Sequence, residues 1–142
     1  MNHSLTGILI GFFIMTPLLF LSSCSDSTST QNQADLVITD IYTKPENPNA
    51  VYIKYMNLGG AAPAQDFLIK LASSKGSFSG NTNHRFSVPA PNTETETGAY
   101  KLELLSLANN ENAQITAVID WEERTDESDE TNNAFTKFVH RQ

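Results

Sequence analysis

What the chain lacks bounds what it can be. One cysteine in 142 residues leaves no intramolecular disulfide framework and no cysteine-based zinc cluster. Basic residues are few: nine Lys and Arg against sixteen Asp and Glu give a net charge of -7, which argues against nucleic acid, since phosphate binding needs a basic face. No window keeps a helical period, so no helix is expected in the folded part. No apolar run reaches the roughly 20 residues that a stable membrane-crossing helix needs. Hydrophobic residues amount to only 39%, and 13 of them crowd into residues 1–23. The remainder is a polar chain with a modest core, long enough for one small domain plus an extension.

The first segment reads as an address. No charged side chain falls between Met1 and Ser25, and Ile8 to Leu21 is almost purely apolar, interrupted by Gly11, Thr16 and Pro17. That length suits the apolar region of a secretory signal peptide, and Pro17 disturbs a permanent span. The run ends in Leu21-Ser22-Ser23-Cys24, which resembles the lipobox of bacterial lipoproteins. The resemblance implies cleavage before Cys24, lipid on its thiol and acylation of the new amine. A multi-chain anchor of this kind holds firmly where a single chain is marginal. The alternative for the same residues is an uncleaved anchor starting near Leu5. Ser25 follows the cysteine and Asp26 comes one place later, which leans towards the outer membrane. Ser25 to Gln33 has no apolar residue and no pattern, so residues 24–33 are expected to be a lipidated cysteine and polar tether.

From Ala34 onward the chain turns to short alternating runs separated by turn residues. Strands are expected at Leu36–Ile41, closed by Pro45 and Pro48, and at Val51–Met56, followed by Asn57-Leu58-Gly59-Gly60. Further strands are expected at Phe67–Leu71, Arg85–Val88, Tyr100–Leu105, Ile115–Ile119 and Phe135–Phe138. About seven strands within residues 34–142 predict an all-β, immunoglobulin-like β-sandwich. Asn57 and Gly59 suit a turn because both tolerate positive φ.

Two stretches carry a family resemblance. Asp35 to Ile41, with Pro45, Pro48 and Met56-Asn57-Leu58-Gly59 after it, is the first. Ala117 to Asp120, followed by Glu127-Ser128-Asp129-Glu130-Thr131-Asn132-Asn133, is the second and more specific. Together they resemble the CARDB domain, named for cell-adhesion-related proteins of bacteria. The resemblance implies an immunoglobulin-like sandwich in an exported protein without enzymatic activity of its own. Residues 73–97 are longer and more polar than the family's middle region.

The candidate chemistry sits at residues 120–130, DWEERTDESDE, where seven acids and one arginine give a net charge of -6. A carboxylate-dense loop can supply several of the six to eight oxygens that Ca²⁺ takes, with Asp120, Asp126 and Asp129 as first suspects. The spacing is not that of an EF-hand. The structural reading of the region is different: Asp129, Asn132 and Asn133 accept or donate hydrogen bonds to nearby backbone and fix the last hairpin connection. Alternation, if the strand reaches that far, turns Trp121 inward and Asp120 outward. Gly76 to Gly80 has Phe78 where a nucleophile elbow needs its nucleophile, and His84 and His140 share no ligand spacing. Glu94 and Glu96 lie in an exposed-looking polar segment with nothing to frame them as paired acids. No catalytic residue and no cofactor other than calcium is expected. The expected function is an envelope lipoprotein held in the membrane by Cys24, with a non-enzymatic binding or adhesion module for another envelope protein or a surface glycan. The alternative is a calcium or small-ligand binder using loop 120–130.

Overall fold

The computed structural model describes residues 33–60, 66–78 and 85–142. Cys24, the apolar leader, nearly all of the tether and His84 lie outside the described residues. Ten strand segments are described: β1 (Leu36–Lys44), β2 (Asn47–Asn57), β3 (Asp66–Phe67), β4 (Ile69–Ser73), β5 (Gly76–Phe78), β6 (Phe86–Ser87), β7 (Glu94–Glu96), β8 (Tyr100–Lys101), β9 (Glu111–Ile119) and β10 (Ala134–Arg141). In the first sheet β2 lies between β1 on one side and β7 with β8 on the other. The second sheet has the order β10-β9-β4-β5, and β3 pairs with β6 as a small ribbon. All these pairings are antiparallel. The all-β sandwich expected from the sequence is therefore the architecture of the described chain.

Period-two alternation builds the core. Val51, Ile53, Tyr55 and Asn57 of β2 point inward, while Tyr52, Lys54 and Met56 point away. From the other sheet Ile69 and Leu71 of β4 and Ala113, Ile115, Ala117 and Ile119 of β9 meet them. Phe67 is fully buried, with its ring 5.4 Å from Tyr55 and 5.8 Å from Phe86. In β1 strict alternation fails, because Ile38 and Ile41 are both buried although three positions apart. The register of β1 on β2 shifts between Ile38 and Asp40. That bulge adds one residue and returns Ile41 to the inner face.

Several sequence expectations are corrected. Pro45 ends β1 as expected, whereas Pro48 is taken into β2. The run Tyr100–Leu105 is not one strand: after Lys101 it winds into a 3-10 helix at Leu102–Leu105, ended by Ser106 at φ 60°. The buried leucines are Leu102 and Leu105, three apart, which is the 3-10 repeat, while Leu104 is exposed. Glu94–Glu96 is a strand, not a loose polar segment. It pairs with Lys54 to Met56, and Thr97 after it exchanges hydrogen bonds with the backbone of Ile53. The turn after β2 also forms for a different reason than positive φ, since neither Asn57 nor Gly59 adopts it.

Asn57 continues the inward phase of β2 and is fully buried. Its side-chain oxygen accepts the N–H of Asp35 and of Gly59, both at 3.0 Å. Its amide nitrogen donates to the carbonyls of Gly60 at 2.8 Å and Pro89 at 3.1 Å. Every hydrogen-bonding site of the side chain is thus used, as burial in an apolar core demands.

Candidate functional site

Loop 120–133 leaves β9 abruptly. Ile119 is the last strand residue, and Asp120 takes φ 46°. This breaks the alternation, so Asp120 is buried instead of facing outward and Trp121 is only half-buried. The two Asp120 oxygens accept the N–H groups of Arg124 at 3.1 Å and Thr125 at 2.7 Å. The Asp120 carbonyl accepts the N–H of Glu123 at 2.8 Å. Asp120 therefore holds its own turn together, in the manner of an Asx motif. Trp121 lies beside it with the Lys70 ammonium 5.2 Å from the ring centroid, a cation–π arrangement.

The second half of the loop reaches the beginning of β1. Glu127 is buried, and its carboxylate accepts the backbone N–H of Leu36 and, at 3.2 Å, the Asn133 amide. The N–H of Ser128 donates to the Ala34 carbonyl at 2.8 Å, and Asn132 donates to the Asp35 carboxylate at 2.7 Å. Asn133 also donates to Glu130 at 3.3 Å, and its carbonyl accepts the N–H of Ile119 at 2.9 Å. Asp129 is exposed and turns back on Thr131, accepting its N–H at 2.9 Å and its hydroxyl at 2.6 Å. These bonds hold the Asp129 carboxyl below its ordinary range. Burial pushes the Glu127 carboxyl up to about 7, against the opposing help of the Leu36 N–H, with the Glu130 charge adding to the rise.

The three suspected metal ligands are placed apart in role. Asp120 is buried and occupied by backbone N–H groups, Asp126 is exposed, and Asp129 is occupied by Thr131. Among the described residues no three His, Cys, Asp or Glu side chains gather around a common ion position. Asn132 meets the start of the domain at Asp35, and Asn133 holds Glu127, which reaches Leu36 and which sequence reasoning did not single out as a site residue. Glu127 stands in the more specific of the two resembling stretches, but its burial could not be read there, because alternation flags buried apolar residues and not a buried acid.

The two outer faces of the sandwich differ in chemistry. On the first sheet Lys44 pairs with Glu96 at 2.6 Å and Lys54 with Glu94 at 2.7 Å, and Tyr42 donates to Glu96. The Tyr42 and Tyr52 rings lie 5.9 Å apart beneath them. That face is covered by mutually satisfied groups. On the second sheet β9 and β10 carry uncharged partners: the Thr116 and Thr136 hydroxyls lie 2.9 Å apart, and His140 sits 3.0 Å from Asn112. Among them Phe138 is 73% exposed. A cleft of about 280 Å³ lies where β1 and β10 run side by side, lined by Ile41, Thr43, Phe138, Val139 and His140 among others.

No family model and no curated protein matches this sequence. Among solved structures, the CARDB domain of a Pyrococcus furiosus protein, described as a complex with di-metal ions, matches with a TM-score of 0.56. The two are 19% identical, and the match covers 82% of this chain and 95% of that one. The likeness shows a shared fold, the CARDB-type immunoglobulin-like sandwich.

Proposed function

We propose that this chain is a lipid-anchored, non-enzymatic binding module of a bacterial envelope, working in adhesion or in an envelope assembly. The observation that carries the reading is the fold, a single β-sandwich of the CARDB type. Leu21-Ser22-Ser23-Cys24 supports anchoring through lipid on Cys24, and Ser25 supports delivery to the outer membrane. A binding role is supported by the uncharged outer face of β9 and β10, the exposed Phe138 and the edge position of β10. A role without catalysis is supported by how the acids are used: Glu94 and Glu96 by lysines, Asp120 and Glu127 by backbone N–H groups.

The test has two arms. Wild-type protein in a bacterial host should take up labelled fatty acid and lose its first 23 residues, and Cys24→Ser should do neither. Purified mature protein should bind saturably to envelopes of the native host. Absence of label from the wild type overturns the anchor, and non-saturable binding overturns the module.

A cation at loop 120–133 is the second reading. It is favoured by three buried side-chain oxygens without partners, those of Thr125, Asn132 and Asn133, and by the di-metal ions of the related fold. Its fit is partial, since the carboxylates of Asp120 and Asp129 already accept hydrogen bonds. Calcium titration followed by tryptophan fluorescence, with Trp121 as the built-in reporter, tests it directly. A saturable change supports the cation, and none up to millimolar calcium ends it.

A further inference from the structure

We propose that β10 is a self-pairing edge, joining antiparallel to β10 of a second copy so that the second sheets of two molecules run on as one. The inference rests on the binding-module reading and names its contact strand and partner.

A sheet edge carries unpaired N–H and C=O groups, and natural edges are blunted by short strands, bulges or covering groups. Three edges here are blunted. β5 has three residues, and β7 and β8 have three and two. β1 is bulged between Ile38 and Asp40, and Glu127 caps its Leu36 N–H. β10 is neither short nor bulged: it is eight residues long, contains no proline and keeps one unbroken register on β9, and its one guard is Lys137, paired with Asp40 of the neighbouring β1.

The direction of its free groups follows from the ladder. Ile119 donates to the Asn133 carbonyl, and antiparallel pairs alternate between bonded and non-bonded. Phe135, Lys137, Val139 and Arg141 therefore face β9. The backbone groups of Ala134, Thr136, Phe138 and His140 point away from the sheet. The bond from Ser74 to the Gln114 carbonyl sets the same phase on the other side of β9. The Lys137 ammonium, the one charge that could guard the middle of the edge, is tied to Asp40 at 2.6 Å.

A second copy fits this edge by charge and by register. The N-terminal end of β10 follows the loop with net charge -6, while its C-terminal end carries His140 and Arg141. Antiparallel self-pairing sets each acidic end beside the other's basic end. With Phe138 opposite Phe138, Thr136 meets His140, Lys137 meets Val139 and Phe135 meets Arg141. No like charges oppose each other, and the exposed ring gains an aromatic neighbour. Sliding the pair to set Lys137 opposite Lys137 loses that match.

Cysteine cross-linking of the full-length protein in native membranes tests this, with wild type as the control for Cys24. Phe138→Cys should give a disulfide-linked dimer at about tenfold the level of Thr116→Cys on the neighbouring strand, since directly paired positions meet disulfide distance limits. Thr136→Cys alone should not cross-link, but mixed with His140→Cys it should. Thr136→Pro in the Phe138→Cys background removes only an outward N–H and should abolish the dimer, with folding checked by thermal melt. Dimer at the Thr116 level, equal cross-linking of Thr136→Cys alone, or a cross-link to a different protein overturns self-pairing. Envelope binding that stays saturable in those cases leaves the binding-module reading standing.

Discussion

The Glu127 carboxylate accepts the backbone N–H of Leu36, 91 residues earlier in the chain. This bond joins the loop before the last strand to the first residue of the first strand. It does what a neighbouring strand would otherwise do for an edge amide. Around it, Ser128 holds Ala34 and Asn132 holds Asp35, so the whole entry into the domain is clamped by loop 120–133.

Burial of Glu127 should make the stability of the fold depend on pH. The Glu127 carboxyl is raised from 4.5 to about 7, chiefly by burial. A raised acid binds its proton more readily when folded, so its stabilising contribution is complete below about 4.5 and is lost as pH rises through about 7. At 1.36 kcal/mol per pH unit the window corresponds to about 3 kcal/mol. Glu127→Gln keeps an acceptor for Leu36 but does not titrate. Urea unfolding from pH 4 to 8 should therefore show the wild type falling relative to Glu127→Gln across that window. Parallel pH profiles would contradict the assignment.

Asn57→Ala removes two acceptor contacts and two donor contacts from a fully buried site. At roughly 1–3 kcal/mol for each buried group left unsatisfied, the loss should consume much of a small domain's stability. Equilibrium denaturation should show the variant largely unfolded, or its midpoint strongly lowered. A cost under about 1 kcal/mol would mean that the four bonds are not what holds the segment.

Gly59 is needed for space. A Cβ there would lie 2.8 Å from both Ala34 C and Asp35 N, and would also press on the Gln33 carbonyl oxygen. All three are backbone atoms that cannot turn aside. Gly59→Ala should lower the melting temperature, whereas Gly98→Ala, where a Cβ meets nothing within 4 Å, should change it little. Equal melting temperatures for the two variants would refute the close approach.

Much of this fold is readable in the residues. Val51 to Tyr55 and Ile115 to Ile119 alternate cleanly because each strand has one apolar and one polar face. What could not be read depends on three-dimensional partners. The strand at Glu94–Glu96 is polar throughout and is held by its ladder to Lys54–Met56, with Lys44 and Lys54 pairing its glutamates. Leu102 and Leu105 look like alternation broken by one residue until the 3-10 turn places both inside. Alternation turns Asp120 outward, but the strand period stops at Ile119. Asn132 and Asn133 are expected to bind neighbouring backbone amides, but in the structure both side chains donate to carboxylates, Asn132 to Asp35 across the domain and Asn133 to Glu127 and Glu130 within the loop.

Loop 120–133 serves the fold before any ligand, and one comparison bears on this most directly: thermal melts of wild type and the triple variant Asp129→Ala, Asn132→Ala, Asn133→Ala, each with calcium and with EDTA. The triple change removes the acceptor for Thr131, the tie to Asp35 and the donor to Glu127 and Glu130. At roughly 0.5–1.5 kcal/mol for each lost bond, the melting temperature should fall by several degrees. The clamp predicts the same fall in EDTA as in calcium. Equal melting temperatures for variant and wild type in EDTA, with a gap opening only when calcium is added, would contradict it.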